Sequence, residues 1–457
     1  MAFIPIYILI LIFTIVIDYI AGIMIAKAAG PKRKAYLVMS LIANIGVLSI
    51  FKYFNFFIDN INTLLHSANI TTHTLPFLNI ILPIGLSFHT FQAMSYTIEV
   101  FRGRQQPEKH FGIYALYVMF YPQLVAGPIE RPQNILHQFY EKKRFNYSEA
   151  TEGLKMMMWG MFKKVVIADR LAKITNPVFN DAHHYTPTAL LMAALFFSFQ
   201  IYCDFSGYSD IALGAARIMG FKLMTNFNKP YRSKNISEFW RRWHISLSSW
   251  FRDYLYISLG GNRVSIPRWY FNLFFVFLVS GFWHGANWTF VVWGALHGFY
   301  LIFAIITEKP RNGFNHILGL DKRPRLLGTL QMITTFILVL VAWVFFRANT
   351  IHDAFYILGR FPTALADLGH WIARAKFSAD SFKTLIGFMP VYQIDLQLSF
   401  LLIILLQTIE WAQSHKNLPA LIGKRPIYIR WTLYYLMLAV IIFFGVYDNR
   451  QFIYFQF

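Results

Sequence analysis

Residues 269–306 read WYFNLFFVFLVSGFWHGANWTFVVWGALHGFYLIFAII, a run of 38 residues without one Asp, Glu, Lys or Arg. A helix needs about twenty apolar residues to cross a hydrocarbon core of about 30 Å. The run is therefore long enough for two passes with a tight turn between them. It does not alternate between apolar and polar residues, as the strands of membrane barrels do, so it predicts membrane-embedded helices.

The same character extends over the whole chain of 457 residues, because 56% of them are hydrophobic and only 14% are charged. A soluble globular domain carries about 25% charged residues. We predict an all-α integral membrane protein with about 11 transmembrane or re-entrant helices in a single domain, residues 1–457. Besides the central run, embedded segments are expected at 3–25, 36–58, 77–100, 111–128, 154–174, 189–221, 326–346, 394–412 and 431–446.

The distribution of basic residues predicts the orientation. Positive charge collects in cytoplasmic loops, so the basic loops at 32–34 and 307–325 are expected inside, and 59–75 and 347–393 outside. The net charge of +20 would favour nucleic acid in a soluble protein. Here the topological rule accounts for most of it, and no nucleic-acid partner is expected. An anionic substrate remains an alternative for the rest.

Two embedded segments are expected to be irregular. Segment 111–128 is short and has basic loops on both sides, which predicts a helix that dips into the membrane and returns. Segment 154–174 is amphipathic and carries Lys163, Lys164 and Asp169. It is therefore expected to lie partly at the membrane interface.

His284 is the most informative side chain, because it lies about sixteen residues into the charge-free run. An ionisable residue at that depth is a functional hypothesis by default. A low dielectric favours the neutral imidazole that a general base needs. Gly281 and Gly285 would let backbone or substrate approach closely. The alternative is a core histidine that bonds to a neighbouring carbonyl.

His244 is the second candidate, in the basic and aromatic stretch WRRWHISLSSWFRD at residues 240–253. It either takes part in the site or anchors the chain at the level of the lipid headgroups. Arg241 and Arg242 suit either substrate phosphates or lipid headgroups. Neither histidine has the spacing of a zinc site, and no metal or tightly bound cofactor is expected.

Asp204 and Asp210 flank FSGYS in an otherwise apolar segment. Two such carboxylates are compatible with a proton or cation path, as in a transporter. The preferred interpretation is that they bond to Arg or Tyr partners and shape a tunnel.

Five motifs together resemble the membrane-bound O-acyltransferase family, in particular the membrane subunits of bacterial alginate and cellulose O-acetylation systems. They are FYPQLVAGPI (120–129), YCDFSGYSD (202–210), WRRWHISLSSWFRD (240–253), LGGNR (259–263) and WHGANW (283–288). By this resemblance His284 matches the intramembrane catalytic histidine and His244 the second motif histidine. In similar proteins one or two further hydrophobic segments precede the stretch that matches 3–25.

The resemblance implies a bacterial cytoplasmic-membrane acetyltransferase with acetyl-CoA as cytosolic donor and an extracytoplasmic acceptor or partner acyltransferase. An intramembrane tunnel would carry the acetyl group. Lys234, Arg241 and Arg242 are expected to hold the phosphates of CoA. Asn287 or Trp288 is expected to stabilise the oxyanion, and Trp283 to line the tunnel with Trp288.

A proton-coupled transporter or flippase that uses His284, Asp204 and Asp210 as a relay is the rival hypothesis. The absence of an internal repeat counts against it. The polymer that is acetylated stays open among alginate, cellulose, peptidoglycan and other envelope glycans. D-alanyl transfer to teichoic acid is a further alternative.

Overall fold

The computed structural model describes residues 7–69, 74–80, 83, 85–124, 127–374, 378–387, 393–415, 418–447 and 452. Within them the regular structure is helical throughout, which confirms the predicted fold class. Parts of the predicted segments lie outside the described residues, namely 3–6, 70–73, 81–82, 84, 125–126, 375–377 and 388–392.

The α-helices follow one another along the chain with short connections. The first group is α1 (Ile8–Lys27), α2 (Gly30–Leu48), α3 (Phe54–Ser67), α4 (Leu86–Phe101), α5 (Phe111–Met119), α6 (Tyr121–Leu124) and α7 (Pro132–Ile135). The second is α8 (Tyr147–Met161), α9 (Asp169–Asn180), α10 (Pro187–Ile218), α11 (Ile236–Arg242), α12 (Ile245–Trp250), α13 (Ile266–His284) and α14 (Trp288–Ile306). The third is α15 (Glu308–Ile317), α16 (Pro324–Arg347), α17 (Ile351–Ala373), α18 (Ala379–Ile386), α19 (Gln393–His415), α20 (Leu418–Gly423) and α21 (Ile427–Phe444).

Short non-α helical segments connect several of these helices. Three have π geometry: Ser49–Tyr53, Phe162–Ala168 and Phe251–Tyr256. Three have 3₁₀ geometry: Leu136–Phe139, Ala182–His184 and Pro230–Arg232. Single π turns inside α-helices occur often at functional sites, and Ser49–Tyr53 lies at the candidate site described below.

Several helices are long and apolar enough to cross a membrane. Among the described residues there are seven such segments: Ile8–Lys27, Gly30–Ser67, Pro187–Ile218, Trp288–Ile306, Pro324–Arg347, Gln393–His415 and Ile427–Phe444. The chain is therefore a multi-pass membrane protein, whereas the figure of about 11 embedded helices stays a prediction.

Two predicted boundaries were wrong. In the described part of the pass expected at 77–100, the helix is α4, whose 16 residues span about 24 Å. This helix begins after Gly85, which has a left-handed φ of 82°, a conformation that glycine adopts without strain. The loop expected at 59–75 is helical as far as Ser67, because α2, the π segment and α3 run on as one helix of 38 residues. The outer segment expected at 347–393 contains α17 and α18.

The central helix is α10, and α8 packs along its second half. Glycines make this close approach possible, because a Cβ at Gly153 would meet the backbone of Gly214, and a Cβ at Gly160 would meet that of Gly207. Small residues of this kind let membrane helices touch along their backbones. The α8–α10 pair brings Lys163 and Lys164 onto the acidic side chains of α10.

We expect single cysteines to report the predicted orientation. Ser67→Cys should react with a membrane-impermeant maleimide in intact cells, whereas Asn312→Cys should react only after permeabilisation. Both positions are exposed, and the native Cys203 is fully buried, so background labelling should be low. Unmodified chain is the control, and the opposite labelling pattern would overturn the orientation.

Candidate active site

His284 is the last residue of α13, at the tip of the hairpin that α13 forms with α14. A Cβ on Gly281 would overlap the carbonyl oxygen of Phe290, and one on Gly294 would overlap that of Phe277. The two helices therefore touch at these glycines. The predicted hairpin is confirmed, and the space beside Gly281 is occupied by α14.

The imidazole of His284 lies in an aromatic cage. Its ring centroid is 4.9 Å from those of Trp283 and Trp293, and 5.4 Å from that of Phe346. Only 4% of the residue is exposed, as the sequence predicts. Trp283 is also stacked on Phe91 at 5.0 Å, so it is a fixed wall of the cage.

Lys52 and Tyr53 bind the carbonyl end of α13. The Lys52 ammonium donates to the carbonyls of Trp283 and His284, both at 2.8 Å. The Tyr53 hydroxyl donates to that of Phe282 at 3.0 Å. The last carbonyls of a helix have no partner inside the helix, and a cation there is favourable. These two residues of the π segment Ser49–Tyr53 therefore fix the backbone that carries His284.

The sequence analysis missed Lys52, although a signal was present. Lys52 lies within the predicted pass 36–58, and an ionisable residue inside a pass deserves a functional hypothesis. Its partners are more than 200 positions away in sequence, so no local pattern indicates what it contacts.

We expect Lys52→Met to lower the rate of the reaction at His284 far more than it lowers donor binding, because the backbone of His284 loses its anchor. Met keeps the length of the side chain but cannot donate. The measurement is turnover and acetyl-CoA affinity of the purified variant, and Lys52→Arg should restore part of the rate. Equal turnover in Lys52→Met and wild type would contradict this role.

His244 is completely buried and has a left-handed φ of 42°. Its Nδ1 lies 3.1 Å from Oδ1 of Asn226, which also accepts from the hydroxyl of Ser246 at 2.9 Å. An amide oxygen only accepts, so Nδ1 carries the proton and the lone pair of a neutral ring lies on Nε2. Full burial excludes the alternative of an exposed anchor among lipid headgroups.

The two predicted histidines belong to one cluster. The ring of Phe88 lies 6.2 Å from His244 and 5.8 Å from Trp283, and Trp283 contacts His284. His284 also lies within electrostatic range of His244, Lys52 and His297. The structure thus brings together residues that the sequence separates by forty positions.

His297 is a buried histidine of α14 that the sequence analysis missed. Its ring lies 4.9 Å from that of Trp293, and its Nδ1 accepts a hydrogen bond from the indole of Trp240 at 3.2 Å. The available signal was a second His-Gly pair, His297-Gly298, inside the charge-free run.

The basic residues predicted to hold CoA surround α11. Lys234 and Arg241 are exposed, whereas Arg242 forms an ion pair with Glu238 at 2.6 Å. Trp240 on the same short helix is buried and reaches His297. A series of ring contacts therefore leads from Trp240, the chain neighbour of the exposed Arg241, through His297 and Trp293 to the imidazole of His284.

Asn287 and Trp288 already have structural partners. Asn287 caps α14, because its Oδ1 accepts from the backbone N–H of Thr289 at 3.0 Å, and its amide donates to the carbonyl of Asn349 at 3.2 Å. Trp288 is half exposed, and its indole donates to Asn60 at 2.9 Å. Their polar groups therefore hold the α13–α14 hairpin tip to neighbouring segments, at Asn60 and Asn349.

Asp204 and Asp210 form ion pairs with lysines. The Lys164 ammonium lies 2.7 Å from carboxylate oxygens of both Asp204 and Asp169, and Lys163 lies 2.6 Å from Asp210. The partners are lysines, where Arg or Tyr was expected, and the interfacial position of segment 154–174 stays a prediction. A buried ammonium requires a counter-charge, and α10 supplies it.

One group of potential metal ligands exists among the described residues, formed by His183, His352 and Asp353. Both histidines are exposed, and His183 Nε2 lies 3.5 Å from Asp353 Oδ1. This distance describes a surface ion pair, and we assign no metal to it.

The chain is similar in sequence to several known bacterial proteins. The chain is 41% identical over 358 residues to the probable alginate O-acetylase AlgI of Pseudomonas aeruginosa, which covers 78% of this chain and 65% of that protein. It is 38% identical to the peptidoglycan O-acetyltransferase of Helicobacter pylori, over 77% of this chain and 69% of that one. The teichoic acid D-alanyltransferase of Bacillus subtilis is 27% identical over 60% of this chain and 71% of its own length. Residues 47–310, which include His244 and His284, match the family-wide pattern, and the chain belongs to the membrane-bound O-acyltransferase family.

Proposed function

We propose that the chain is an O-acyltransferase of the bacterial cytoplasmic membrane. It moves an acetyl group from cytosolic acetyl-CoA to an extracytoplasmic acceptor, for O-acetylation of an exported or cell-envelope polysaccharide. The observation that carries the proposal is the series of ring contacts from Trp240 on α11, the neighbour of the exposed Arg241, through His297 and Trp293 to the caged imidazole of His284. In the predicted orientation, this series starts on the cytosolic side.

Along this series, the side chains follow one another in the order in which the parts of a CoA thioester would bind, from the phosphates to the thioester. Exposed cations lie at its start, where the phosphates of CoA would bind. Trp240, His297 and Trp293 then form an aromatic path toward His284, where the reaction takes place. A dry and oriented setting of this kind contributes to catalysis, because proximity alone supplies about 7–11 kcal/mol of a bimolecular barrier.

His284 acts as general base in this proposal. It takes the proton of the acceptor hydroxyl while the hydroxyl oxygen bonds to the carbonyl carbon of the thioester. The C–S bond then breaks, and the imidazolium returns the proton to the departing thiolate. His244 would orient the donor near this centre. Transfer is direct, without an acyl-enzyme.

The relatives support the acceptor class. One is named for alginate, one for peptidoglycan and one for teichoic acid, and all three are polymers with hydroxyl groups. Acetyl transfer to a polysaccharide or peptidoglycan is favoured over D-alanyl transfer, because the identity is higher to the acetylating relatives.

The experiment that tests the function is release of CoA thiol from acetyl-CoA by the purified chain in proteoliposomes, with cell-envelope fractions as acceptor. We expect release to depend on the acceptor and to vanish in His284→Ala. The chain's single thiol, Cys203, is fully buried, so a thiol reagent reports the product. A transporter or flippase would leave the thioester intact, and that result would refute the proposal.

We also expect that polymer acetylation needs a second, extracytoplasmic acyltransferase. Segment 347–393 is the longest predicted outer segment, and its helix α17 packs on α10. Fewer than fifty residues do not form a separate domain with its own core. Proteoliposomes with this chain alone and purified polymer should release little CoA and transfer little acetyl to the polymer. Addition of a periplasmic extract should stimulate both. Full polymer acetylation by the chain alone would contradict the requirement.

A further inference from the structure

Three buried N–H groups surround the candidate catalytic imidazole without an acceptor. Within the described part of the chain, the indole nitrogens of Trp283 and Trp293 and Nε2 of His297 make no hydrogen bond. The exposed fractions of these residues are 5%, 0% and 0%, so bulk water does not compensate for the missing bonds. Buried polar groups are nearly always hydrogen-bonded, and each exception requires an explanation.

The proton on His297 Nε2 follows from its other contact. The indole of Trp240 only donates and lies 3.2 Å from His297 Nδ1, so this nitrogen must accept. A neutral imidazole then carries its proton on Nε2. His297 is therefore a donor, like the two indoles.

All three donors lie close to the reacting centre. The rings of Trp283 and Trp293 are each centred 4.9 Å from that of His284. The ring of His297 lies 4.9 Å beyond that of Trp293, toward α11. Two of these N–H donors belong to the aromatic cage and the third lies next to it. Three buried donors without acceptors match a ligand that places a carbonyl oxygen, which accepts a hydrogen bond, opposite each of them.

We propose that the N–H groups of Trp283 and Trp293 bind the thioester carbonyl of the acyl donor and stabilise its oxyanion. His297 binds the next carbonyl along the donor, the first amide of the pantetheine arm. This inference rests on the proposed function and identifies the part of the donor that the site recognises. It also replaces Asn287 and Trp288, whose polar groups bond to Asn349, Thr289 and Asn60.

The bonds that form and break are the same as in the general-base mechanism: the acceptor oxygen bonds to the thioester carbon, and the C–S bond breaks. When the acceptor oxygen adds to the carbonyl carbon, negative charge develops on the carbonyl oxygen, toward which both indole N–H groups donate. The electron pair of this oxygen re-forms the C=O bond as the C–S bond breaks, the negative charge leaves on the thiolate sulfur, and the thiolate takes the proton from His284. The indoles exchange no proton, so they act only on the charge of the transition state.

The test compares three Trp→Phe substitutions in the full-length chain. Trp293→Phe and Trp283→Phe should each lower kcat by about 10²-fold or more, as loss of one oxyanion donor does, with acetyl-CoA affinity within about threefold of wild type. Trp288→Phe is the matched control, because its indole bonds to Asn60 outside the cage. It should keep the kcat of wild type.

A second measurement begins with wild type, so its first result does not depend on a variant remaining folded. The infrared carbonyl band of acetyl-CoA, isotopically labelled at its carbonyl carbon, should move to lower frequency when it binds wild type. The shift should shrink in Trp293→Phe and persist in Trp288→Phe. No shift in wild type, or wild-type kcat in Trp293→Phe, would overturn the assignment.

These outcomes can be separated from failure of the proposed function. If wild type releases no CoA with any envelope fraction, the function itself fails. If wild type is active and His284→Ala is inactive, but Trp283→Phe and Trp293→Phe have the kcat of wild type, the proposed function stands. Only the role of the two indole N–H groups then fails.

Discussion

His284→Ala should lower acetyl transfer by about 10²–10⁴-fold, the loss expected when a general base is removed. The imidazole is caged by Trp283, Trp293 and Phe346 and is 4% exposed, so water cannot readily take over its role. Folding should be largely retained, because the hairpin is held by the Gly281–Gly294 contact and by Lys52, which bonds to the backbone.

The measurement is acceptor-dependent CoA release together with acetyl-CoA binding, at matched protein concentration. Binding should stay close to that of wild type, because the predicted phosphate contacts lie around α11. His316→Ala is the control, since His316 is an exposed histidine of α15 that pairs with Asp321. Wild-type turnover in His284→Ala would show that the base is another group, and the transporter hypothesis would gain.

His244→Ala provides a contrast within the same cluster. The His244 ring bonds to Asn226 and contacts Phe88, so its loss should disturb the position of the donor. Apparent donor affinity and turnover should then both fall. The difference between the two profiles separates proton transfer from donor positioning.

Lys164→Met should destabilise the fold by about 3–5 kcal/mol, the effect of removing one partner from a buried ion pair. The ammonium of Lys164 lies 2.7 Å from both Asp204 and Asp169. Without it the two buried carboxylates lose the ammonium that they share. The measurement is denaturant or thermal unfolding of the purified protein in detergent.

A control and a rescue make this prediction specific. Lys143→Met breaks an exposed pair with Glu141 and should leave stability near that of wild type. Adding Asp204→Asn to Lys164→Met should recover part of the loss, because one uncompensated charge is removed. Equal stability of Lys164→Met and wild type would mean that these carboxylates are protonated or solvated, which would favour the proton-relay interpretation.

The sequence by itself determined the class of the protein and predicted that His284 is buried. The low charge content required helices in a membrane, because hydrocarbon cannot hydrogen-bond an exposed backbone. The charge-free run predicted the α13–α14 hairpin and the burial of His284, since both follow from local composition. The pass predicted at 77–100 began too early, because α4 starts only after Gly85, whose left-handed φ interrupts an apolar stretch with the composition of a full pass.

Only the tertiary structure decided which groups meet. Lys52 reaches the carbonyl of His284 across 232 positions, and Lys164 meets Asp204 because glycines let α8 approach α10. The partners of Asn287 and Trp288, and the donors without acceptors on Trp283, Trp293 and His297, likewise became visible only in the folded chain. The physical reason is that residue type sets the cost of burying a group in hydrocarbon, whereas the packing of distant helices decides whether that group finds a counter-charge, an acceptor or a place for substrate.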